Sequence, residues 1–440
     1  MPSVQPPSGF RDFLNEDAQR RLELIHQISS VYQSFGFLPL ETPVVENLEL
    51  LLGGGGGEEN EKLIFKILKR GEKLVEALPS GDENKIAEFG LRFDLTLPLT
   101  RTVAAHRAKI KMPWKVFHIG PVWRAERAQK GRYREFIQCD VDIIGAQGVA
   151  AEIEVIQAGV EAIHRVGASG FELRINDRRL IQKMGEVFGF VGKDLDSFAI
   201  IMDKKDKISE EELLEQLKKL TSGQMHPDLP AWVSGAFPLD QAAQYHPEAA
   251  SDLKTIISTL QTLELPLTRI VYDPSLVRGM GYYTGPVFEL RHSSAGYSFG
   301  GGGRYDRLIG RWSGQEIPAC GFSIGFERLA LLLAEKEKEQ NPESKVLFIP
   351  VFDESLRPQV ARMAVTLRKL GLVVDVYPDQ AKIKHQFKFA SDRKYRWVLI
   401  AGQDEWKTHC FKLKDFQSGD EKSLPDHQLS AELKAVFKLS

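Results

Sequence analysis

Cysteine is scarce in this sequence. The 440 residues include only three, Cys139, Cys320 and Cys410, which lie far apart and form no CxxC pair. That spacing argues against a structural zinc site and against a disulfide framework. Because reduced thiols are the simplest explanation of such a pattern, we expect a cytoplasmic protein.

Long apolar runs are absent as well. No stretch approaches the roughly 20 apolar residues that a membrane-spanning helix requires. The first residues, MPSVQPPSGFRDF, lack a basic start and an apolar segment, so we expect no signal peptide. An apolar fraction of 42% still suffices for a large core, and the length allows roughly two to four domains.

The chain has no overall excess of basic residues, because its formal net charge is −2. The charge is nevertheless unevenly distributed. Residues 107–135 contain nine Lys or Arg against two Glu, and residues 345–440 contain 17 basic against 12 acidic residues. Two basic zones on an acidic body fit a nucleic acid that is contacted in two separate places. Solvated surface charges are the alternative explanation of such runs.

The order of the predicted elements indicates two domains. Residues 1–334 form the larger one and contain a mostly helical stretch at about 171–270, which begins with the strand-like FELRI and which we interpret as an insertion. A polar linker follows at 335–345. Residues 346–440 alternate as β-α-β-α-β, which predicts a small doubly wound domain with a mainly parallel sheet.

The stretch Phe117–Gly145 reads as two strands joined by a basic loop. Arg124 and Glu126 lie two residues apart and are predicted to share one face of the first strand. On the second strand, a polar set alternates with an apolar set, as expected for a strand buried on one side. The pattern indicates a polar floor beneath a cationic loop, which suits a small polar substrate and an approaching polyanion. The polar set is Gln138, Asp140 and Asp142, the apolar set is Ile137, Cys139, Val141 and Ile143, and the loop carries Arg127, Lys130, Arg132 and Arg134.

A second group of candidate binding residues lies partly upstream of this hairpin. Asp94 and Thr96, together with Gln138 and Asp142, offer two carboxylates, a hydroxyl and an amide. These groups can hold an ammonium ion and a polar side chain. Taken singly, each of these residues is more often a surface or helix-capping residue.

Two further segments carry arginines in unusual settings. In RGMGYYTG, Arg278 precedes Tyr282 and Tyr283 among glycines that let the backbone approach a ligand closely. Arg328 falls in the first turn of a predicted helix, although cations favour the other helix end, so an anionic partner is indicated. The alternatives are a tyrosine pair in the core and an ordinary surface arginine.

Together, these segments resemble the histidyl-tRNA synthetases, a class II family, over nearly the whole chain. The region around Pro43 resembles class II motif 1, a dimer-interface element. Phe117–Gly145 resembles motif 2, with its RxE at Arg124–Glu126, and Gly321–Leu333 resembles motif 3, with its arginine at Arg328. The signals specific to histidine are LRFDLTLPLTR, RAQKGRYREF, RGMGYYTG and GGGRYD, at 91–101, 127–136, 278–285 and 301–306.

The resemblance implies an α+β catalytic domain with an antiparallel class II sheet, a helical insertion and a C-terminal α/β anticodon-binding domain. It also implies a homodimer that uses ATP and Mg²⁺ to join L-histidine to tRNA(His). Each implied role attaches to residues that match the family's motifs. The implied catalytic residues are Arg278 and Arg124; histidine would contact Asp94, Thr96, Gln138, Asp142, Tyr282 and Tyr283; ATP would contact Arg124, Glu126, Arg278 and Arg328; and the tRNA acceptor end would contact Arg127, Lys130 and Arg132.

One departure from the family pattern concerns a supporting contact. Where the family most often has Leu-Asp before YYTG, this chain has Met280 and Gly281, which removes a carboxylate. Two other functions share this fold: the regulatory subunit of an ATP phosphoribosyltransferase and a non-enzymatic tRNA-sensing domain. The first usually lacks the C-terminal domain and degrades the histidine signatures, and the second accompanies a kinase-like segment that this chain does not contain.

Overall fold

A computed structural model describes residues 4–53, 61–129, 131–205, 208–221, 225–277, 281–293, 297–337 and 346–438. The chain divides into two compact units, Met1–Glu335 and Lys336–Ser440. Within the described ranges, no helix is long and apolar enough to cross a membrane.

A large mixed sheet forms the centre of the first unit. Its eight strands follow the order β1-β5-β6-β11-β10-β9-β7-β8, beside a smaller sheet of order β2-β4-β3. The six central strands pair in antiparallel fashion, as predicted, whereas the edge strands β1 and β8 pair in parallel with β5 and β7. The strands are β1 (Leu38–Pro39), β2 (Val45–Asn47), β3 (Lys66–Leu68), β4 (Ala87–Leu91), β5 (Trp114–Trp123), β6 (Glu135–Ile144), β7 (Phe171–Asp177), β8 (Arg269–Tyr272), β9 (Pro286–His292), β10 (Ser298–Arg304) and β11 (Ala319–Gly325).

The predicted alternation along β6 is confirmed. Its apolar set packs into the main core cluster, while its polar set lies on the other face of the sheet. On that face, Asp142 is paired in register with Gly321, and Asp140 is paired with Ser323. The sheet therefore presents a polar surface at the level of β6 and β11.

Helices cover the apolar face of the sheet. Helix α1 packs beside α6 on this face. Ile28 and Val155 are fully buried between these layers, and the Tyr32 hydroxyl donates to the Cys139 carbonyl at 3.2 Å. The helices are α1 (Asn15–Ser34), α2 (Leu48–Gly53), α3 (Glu72–Ala77), α4 (Glu83–Ile86), α5 (Thr96–His106), α6 (Ala150–Arg165), α7 (Arg178–Val187), α8 (Lys193–Met202), α9 (Glu210–Leu220), α10 (Leu229–Ser234), α11 (Leu239–Ala242), α12 (Pro247–Thr262), α13 (Asp306–Ser313) and α14 (Phe326–Glu337), with a 3₁₀ turn at Leu78–Ser80.

The segment interpreted as a helical insertion is bounded by strands of the main sheet. β7 and β8 pair with each other in parallel, and α7 to α12 lie between them. Parallel neighbours need a crossover connection of this kind. The helical part is therefore narrower than 171–270, because both ends of that range belong to the sheet.

The second unit contains the predicted β-α-β-α-β alternation. Its sheet has the order β13-β12-β14-β15-β16, in which β12 pairs in parallel with β13 and β14. The last two strands are antiparallel, so the sheet is only partly parallel. The elements are β12 (Val346–Ile349), α15 (Arg357–Lys369), β13 (Val373–Val376), α16 (Ile383–Asp392), β14 (Trp397–Ile400), α17 (Gln403–Thr408), β15 (Cys410–Asp415), β16 (Glu421–Pro425) and α18 (Asp426–Phe437), with a 3₁₀ turn at Glu354–Leu356.

Candidate active site

A cavity of about 670 Å³ opens on the polar face of the main sheet. Ten of the thirteen residues selected from the sequence line it. Arg127 is exposed and does not line the cavity, and Arg278 and Lys130 lie outside the described residues. The ten lining residues are Asp94, Thr96, Arg124, Glu126, Arg132, Gln138, Asp142, Tyr282, Tyr283 and Arg328.

Glycines keep the floor of the cavity flat. β10 reads SFGGGGR, and Gly303 is paired in register with Gly321 of β11, where a Cβ would overlap the Asp142 carboxylate. A Cβ at Gly303 would lie 2.6 Å from the Pro286 carbonyl and 2.9 Å from a ring carbon of Tyr283. Side chains at these positions are therefore excluded, and the space above the strand stays open for a ligand.

Asp142 is held at one end of this floor by Tyr305. The Tyr305 hydroxyl donates to Asp142 Oδ1 at 2.6 Å, and both residues are buried. Burial raises the pKa of Asp142 to about 7, although the Tyr305 hydrogen bond opposes the shift. Sequence reasoning assigned no role to Tyr305, but it lies within the quoted GGGRYD segment, which was the available signal.

Asp94 forms a second acidic wall just before α5. Its Oδ1 atom accepts a hydrogen bond from the Leu97 amide at 3.2 Å, while its buried Oδ2 atom has no hydrogen-bond partner among the described residues. Burial raises the pKa of Asp94 to about 6. Next to it, the Thr96 hydroxyl and Tyr282 are hydrogen-bonded, and the Tyr282 and Tyr283 rings lie 4.8 Å apart.

Gln138 presents a further polar atom to the cavity. Its Nε2 donates to the Ser323 hydroxyl at 3.0 Å, and its buried Oε1 has no hydrogen-bond partner in the described parts of the chain. Asp140, on the same face, also lines the cavity, and burial together with the charge of Asp142 raises its pKa well above the usual value. Because uncompensated buried acceptors are costly, this wall is suited to a cationic hydrogen-bond donor.

Arg124 and Glu126 also line the cavity, and the charge of Arg124 acts on Asp94 to oppose the rise of its pKa. β5 ends at Trp123, so both residues follow the strand instead of sharing its face as predicted. Arg124 Nε donates to the Phe93 carbonyl at 3.0 Å, with its guanidinium 5.0 Å from the Phe136 ring centre. The Glu126 carboxylate forms an ion pair with Arg132. The guanidinium of Arg124 is thereby fixed at the cavity wall.

Arg328 occupies the first turn of α14, where the sequence placed it. Its Nη1 donates to the Ser298 carbonyl, and its guanidinium lies 4.9 Å from the centre of the Tyr297 ring. The cavity therefore has an acidic part, with Asp94, Asp140 and Asp142, directly beside an arginine part, with Arg124 and Arg328. Such a division can bind a zwitterion beside a polyanion.

Comparison with known proteins supplies the family. The family model described as histidyl-tRNA synthetase matches residues 9–329, and the model described as an anticodon binding domain matches residues 345–436. The chain belongs to the histidyl-tRNA synthetase family. The resemblance found in the sequence is thus confirmed, together with the class II fold that it implied.

Relatives and solved structures agree with this family. A histidine–tRNA ligase of Leifsonia xyli subsp. xyli is 41% identical over 80% of this chain and 84% of its own length. One of Christiangramia forsetii is 34% identical over 98% of this chain and 99% of its own. The crystal structure of histidyl-tRNA synthetase from Nostoc sp. PCC 7120 covers 99% of this chain and 100% of its own, with 26% identity and a TM-score of 0.82.

Proposed function

We propose that this chain is a histidine–tRNA ligase, which activates L-histidine with ATP and transfers it to the 3′ end of tRNA(His). One observation in the site carries the proposal: Asp94 Oδ2 and Gln138 Oε1 are buried acceptors that have no hydrogen-bond partner within the described ranges, and they line a cavity that also contains Arg124 and Arg328. A ligand with an ammonium group can satisfy those acceptors. An anionic cosubstrate can lie against the arginines.

Histidine fits the acidic part of the cavity. Its ammonium group would be held by Asp94, Thr96 and Gln138. Its imidazole would face Asp142 and the Tyr282–Tyr283 pair. A bound ammonium favours the ionised form of Asp94 and lowers its pKa, because opposite charges at short range stabilise each other.

ATP fits the arginine part. Arg124 would hold the α-phosphate, since a guanidinium matches phosphate oxygens in a bidentate manner. Arg328 would hold the far end of the nucleotide, and Glu126 would contribute a carboxylate. Mg²⁺ would be held largely by the phosphates of ATP, because in such sites it takes only one or two protein carboxylates.

The first reaction needs positioning and charge stabilisation rather than a general base. The histidine carboxylate is already an anion, and it attacks the α-phosphorus in line, forming histidyl-adenylate and releasing pyrophosphate. Negative charge builds on the phosphoryl oxygens, where Arg124 stabilises it from its fixed place at the cavity wall. Arg278, which lies outside the described residues, is expected to assist from its glycine-rich segment.

In the second reaction, a ribose hydroxyl at the tRNA 3′ end attacks the adenylate carbonyl and displaces AMP. The loop that carries Arg127, Lys130 and Arg132 would guide the acceptor end, chiefly through phosphates. The second unit, with its surplus of basic residues, would contact the anticodon side. We expect the reaction to take place in the cytoplasm, where charged tRNA enters protein synthesis.

The regulatory-subunit alternative predicts a different outcome at the same site. A regulatory subunit has no need of the arginine wall or of the second unit, and here residues 345–436 match the anticodon-binding model. The ligase proposal is therefore the stronger one. It also requires every cavity residue named above, whereas regulation by histidine requires the acidic part alone.

Pyrophosphate exchange tests the proposal. The purified chain should exchange labelled pyrophosphate into ATP when histidine and Mg²⁺ are present, but not when histidine is omitted or replaced by glutamine. A chain that binds histidine in calorimetry yet supports no exchange would be a regulatory protein. In that case the ligase proposal would be wrong.

We further propose that the chain forms a homodimer through the motif 1 region. Apolar side chains are exposed there: Leu38 on edge strand β1 is 59% exposed, Val44 is 40% and Val45 is 39%. Exposed apolar groups near an open strand edge favour association. Light scattering should give twice the mass of the chain, and Leu38→Asp should shift the protein toward monomer. A monomeric wild type would exclude the dimer.

A further inference from the structure

The N-terminal segment Ser8–Phe13 lies against the end of the β5–β6 hairpin. The Arg134 amide donates to the Gly9 carbonyl at 2.9 Å, and Arg134 Nη1 donates to the Ser8 carbonyl at 3.4 Å. Gly9 has a φ of +88°, and a Cβ there would lie 2.8 Å from Arg134 Cγ. The contact thus depends on a glycine at position 9.

Arg11 connects two walls of the cavity from within this segment. Its guanidinium stacks on the Tyr133 ring, 3.2 Å from the ring centre, and its Nη2 donates to Glu327 Oε2 at 2.5 Å. Tyr133 belongs to the hairpin, and Glu327 belongs to the first turn of α14. Both line the cavity, whereas Arg11 itself does not.

Glu327 is the centre of a compact charge cluster. Arg21 donates to it twice, at 2.8 and 2.7 Å, in addition to the bond from Arg11. Burial alone would raise the pKa of Glu327, but the hydrogen bonds and charges of Arg21 and Arg11 hold it below its usual value. The carboxylate is therefore ionised, and its position is set from two sides. Arg328, the next residue in α14, shares this anchored helical turn.

We propose that Arg11 is a positioning residue for the nucleotide: it fixes Tyr133 and Glu327 so that the hairpin and Arg328 together frame the phosphates. This inference rests on the proposed function, since it assigns ATP to the arginine part of the cavity. The role requires arginine, because only a planar guanidinium stacks on a ring and donates in its plane at the same time. Lysine at position 11 retains the charge but loses that geometry.

The effect should appear in ATP binding and not in histidine binding. Arg11→Ala and Tyr133→Ala should each raise the KM for ATP about tenfold in pyrophosphate exchange, with the KM for histidine within about twofold of wild type. The double variant should be no worse than Arg11→Ala alone, because that substitution already removes the stacking contact that Tyr133→Ala removes. Arg11→Lys should behave like Arg11→Ala.

Arg20→Ala is the matched control, since Arg20 lies on the same helix as Arg21 and pairs with Asp17 at the surface at 3.5 Å. It should leave both KM values unchanged. Equal rises in the two KM values, or additive single effects, would reduce Arg11 to a folding role and overturn the inference.

Calorimetric titration of ATP into wild type and Arg11→Ala provides a reading that does not need turnover. If wild type supports no exchange, the proposed function fails. The ratio of the two ATP dissociation constants then still decides the role of Arg11, because unchanged ATP affinity in Arg11→Ala contradicts it.

Discussion

Asp142 and Gly321 face each other in register across β6 and β11, and a Cβ at position 321 would overlap Asp142 Oδ1. The carboxylate occupies the space that a side chain on the neighbouring strand would otherwise take. Tyr305 closes the remaining side with its hydroxyl bond to the same oxygen. The imidazole end of the proposed histidine site therefore depends on an absent side chain as much as on those present.

Gly321→Ala should accordingly displace Asp142 without touching the arginine part of the cavity. We expect histidine-dependent exchange to fall about 100-fold, since a displacement of the order of 1 Å at a site can have that effect. The KM for ATP should change little. Exchange kinetics at saturating ATP, with circular dichroism to confirm folding, would measure this.

Gly148→Ala is the control for that change, because a Cβ at Gly148 meets nothing within 4 Å. It should be fully active. Wild-type exchange in Gly321→Ala would show that Asp142 has no essential position, and the histidine assignment of this corner would then be wrong.

The buried Asp94 carboxylate should bind ligand, but its ionised form should also destabilise the fold. Its pKa is raised to about 6 by burial, so between the usual value and 6 the folded protein retains a proton that the unfolded chain releases. The free energy of unfolding therefore falls as pH rises through this window. About two pKa units correspond to a loss of about 3 kcal/mol that is complete above pH 6.

Asp94→Asn removes this titration. At pH 8 the variant should be up to about 3 kcal/mol more stable than wild type, and near pH 4 the two should be similar. Its histidine-dependent exchange should be nearly abolished. Urea unfolding of both proteins at the two pH values measures the difference, and a variant that is less stable at pH 8 would contradict the buried charge.

The local part of this site could be predicted from the sequence. The face shared by Gln138, Asp140 and Asp142 follows from the two-residue period of a strand, which any single strand reveals. The end of β5 could not be predicted with the same precision, because the Arg124 amide still donates a hydrogen bond to the Arg134 carbonyl after the strand has ended. The turn, and not the strand, then determines the direction of the Arg124 side chain.

Convergence from distant segments could be predicted only through family resemblance. Asp94 precedes α5, Tyr282 precedes β9 and Tyr305 follows β10, and no local period connects them. Tyr305 was missed because a tyrosine after a glycine strand resembles an ordinary core residue. The roles of Arg278 and Lys130 stay predictions, since both lie outside the described residues.

Arg304 should be a strong contributor to stability. It lies at the end of β10 and pairs with the fully buried Glu152 at 2.6 and 2.8 Å. Removing one partner of a buried pair leaves an uncompensated charge, so Arg304→Ala should lower the free energy of unfolding by about 3–5 kcal/mol. Chemical denaturation at pH 7.5 would show the change.

Arg307 provides the comparison, because its pair with Glu316 is 3.6 Å long and exposed on both sides. Arg307→Ala should lower the free energy of unfolding by less than about 1 kcal/mol. Equal effects of the two substitutions would mean that the Arg304–Glu152 pair is not the anchor of this strand end.

Substitution of Arg127 should distinguish the two half-reactions, histidine activation and transfer to tRNA. It is exposed on the hairpin loop and does not line the cavity, so it should not affect ATP or histidine. Arg127→Ala should lower aminoacylation of tRNA(His) about tenfold, while exchange stays at the wild-type rate. The slope of log tRNA affinity against log salt concentration should decrease by the amount expected for the loss of about one phosphate contact. Arg107→Ala, an exposed arginine of the same basic stretch at the end of α5, should change neither assay. Only the transfer step involves tRNA. Parallel losses in exchange and aminoacylation would therefore assign Arg127 to ATP binding instead of tRNA binding.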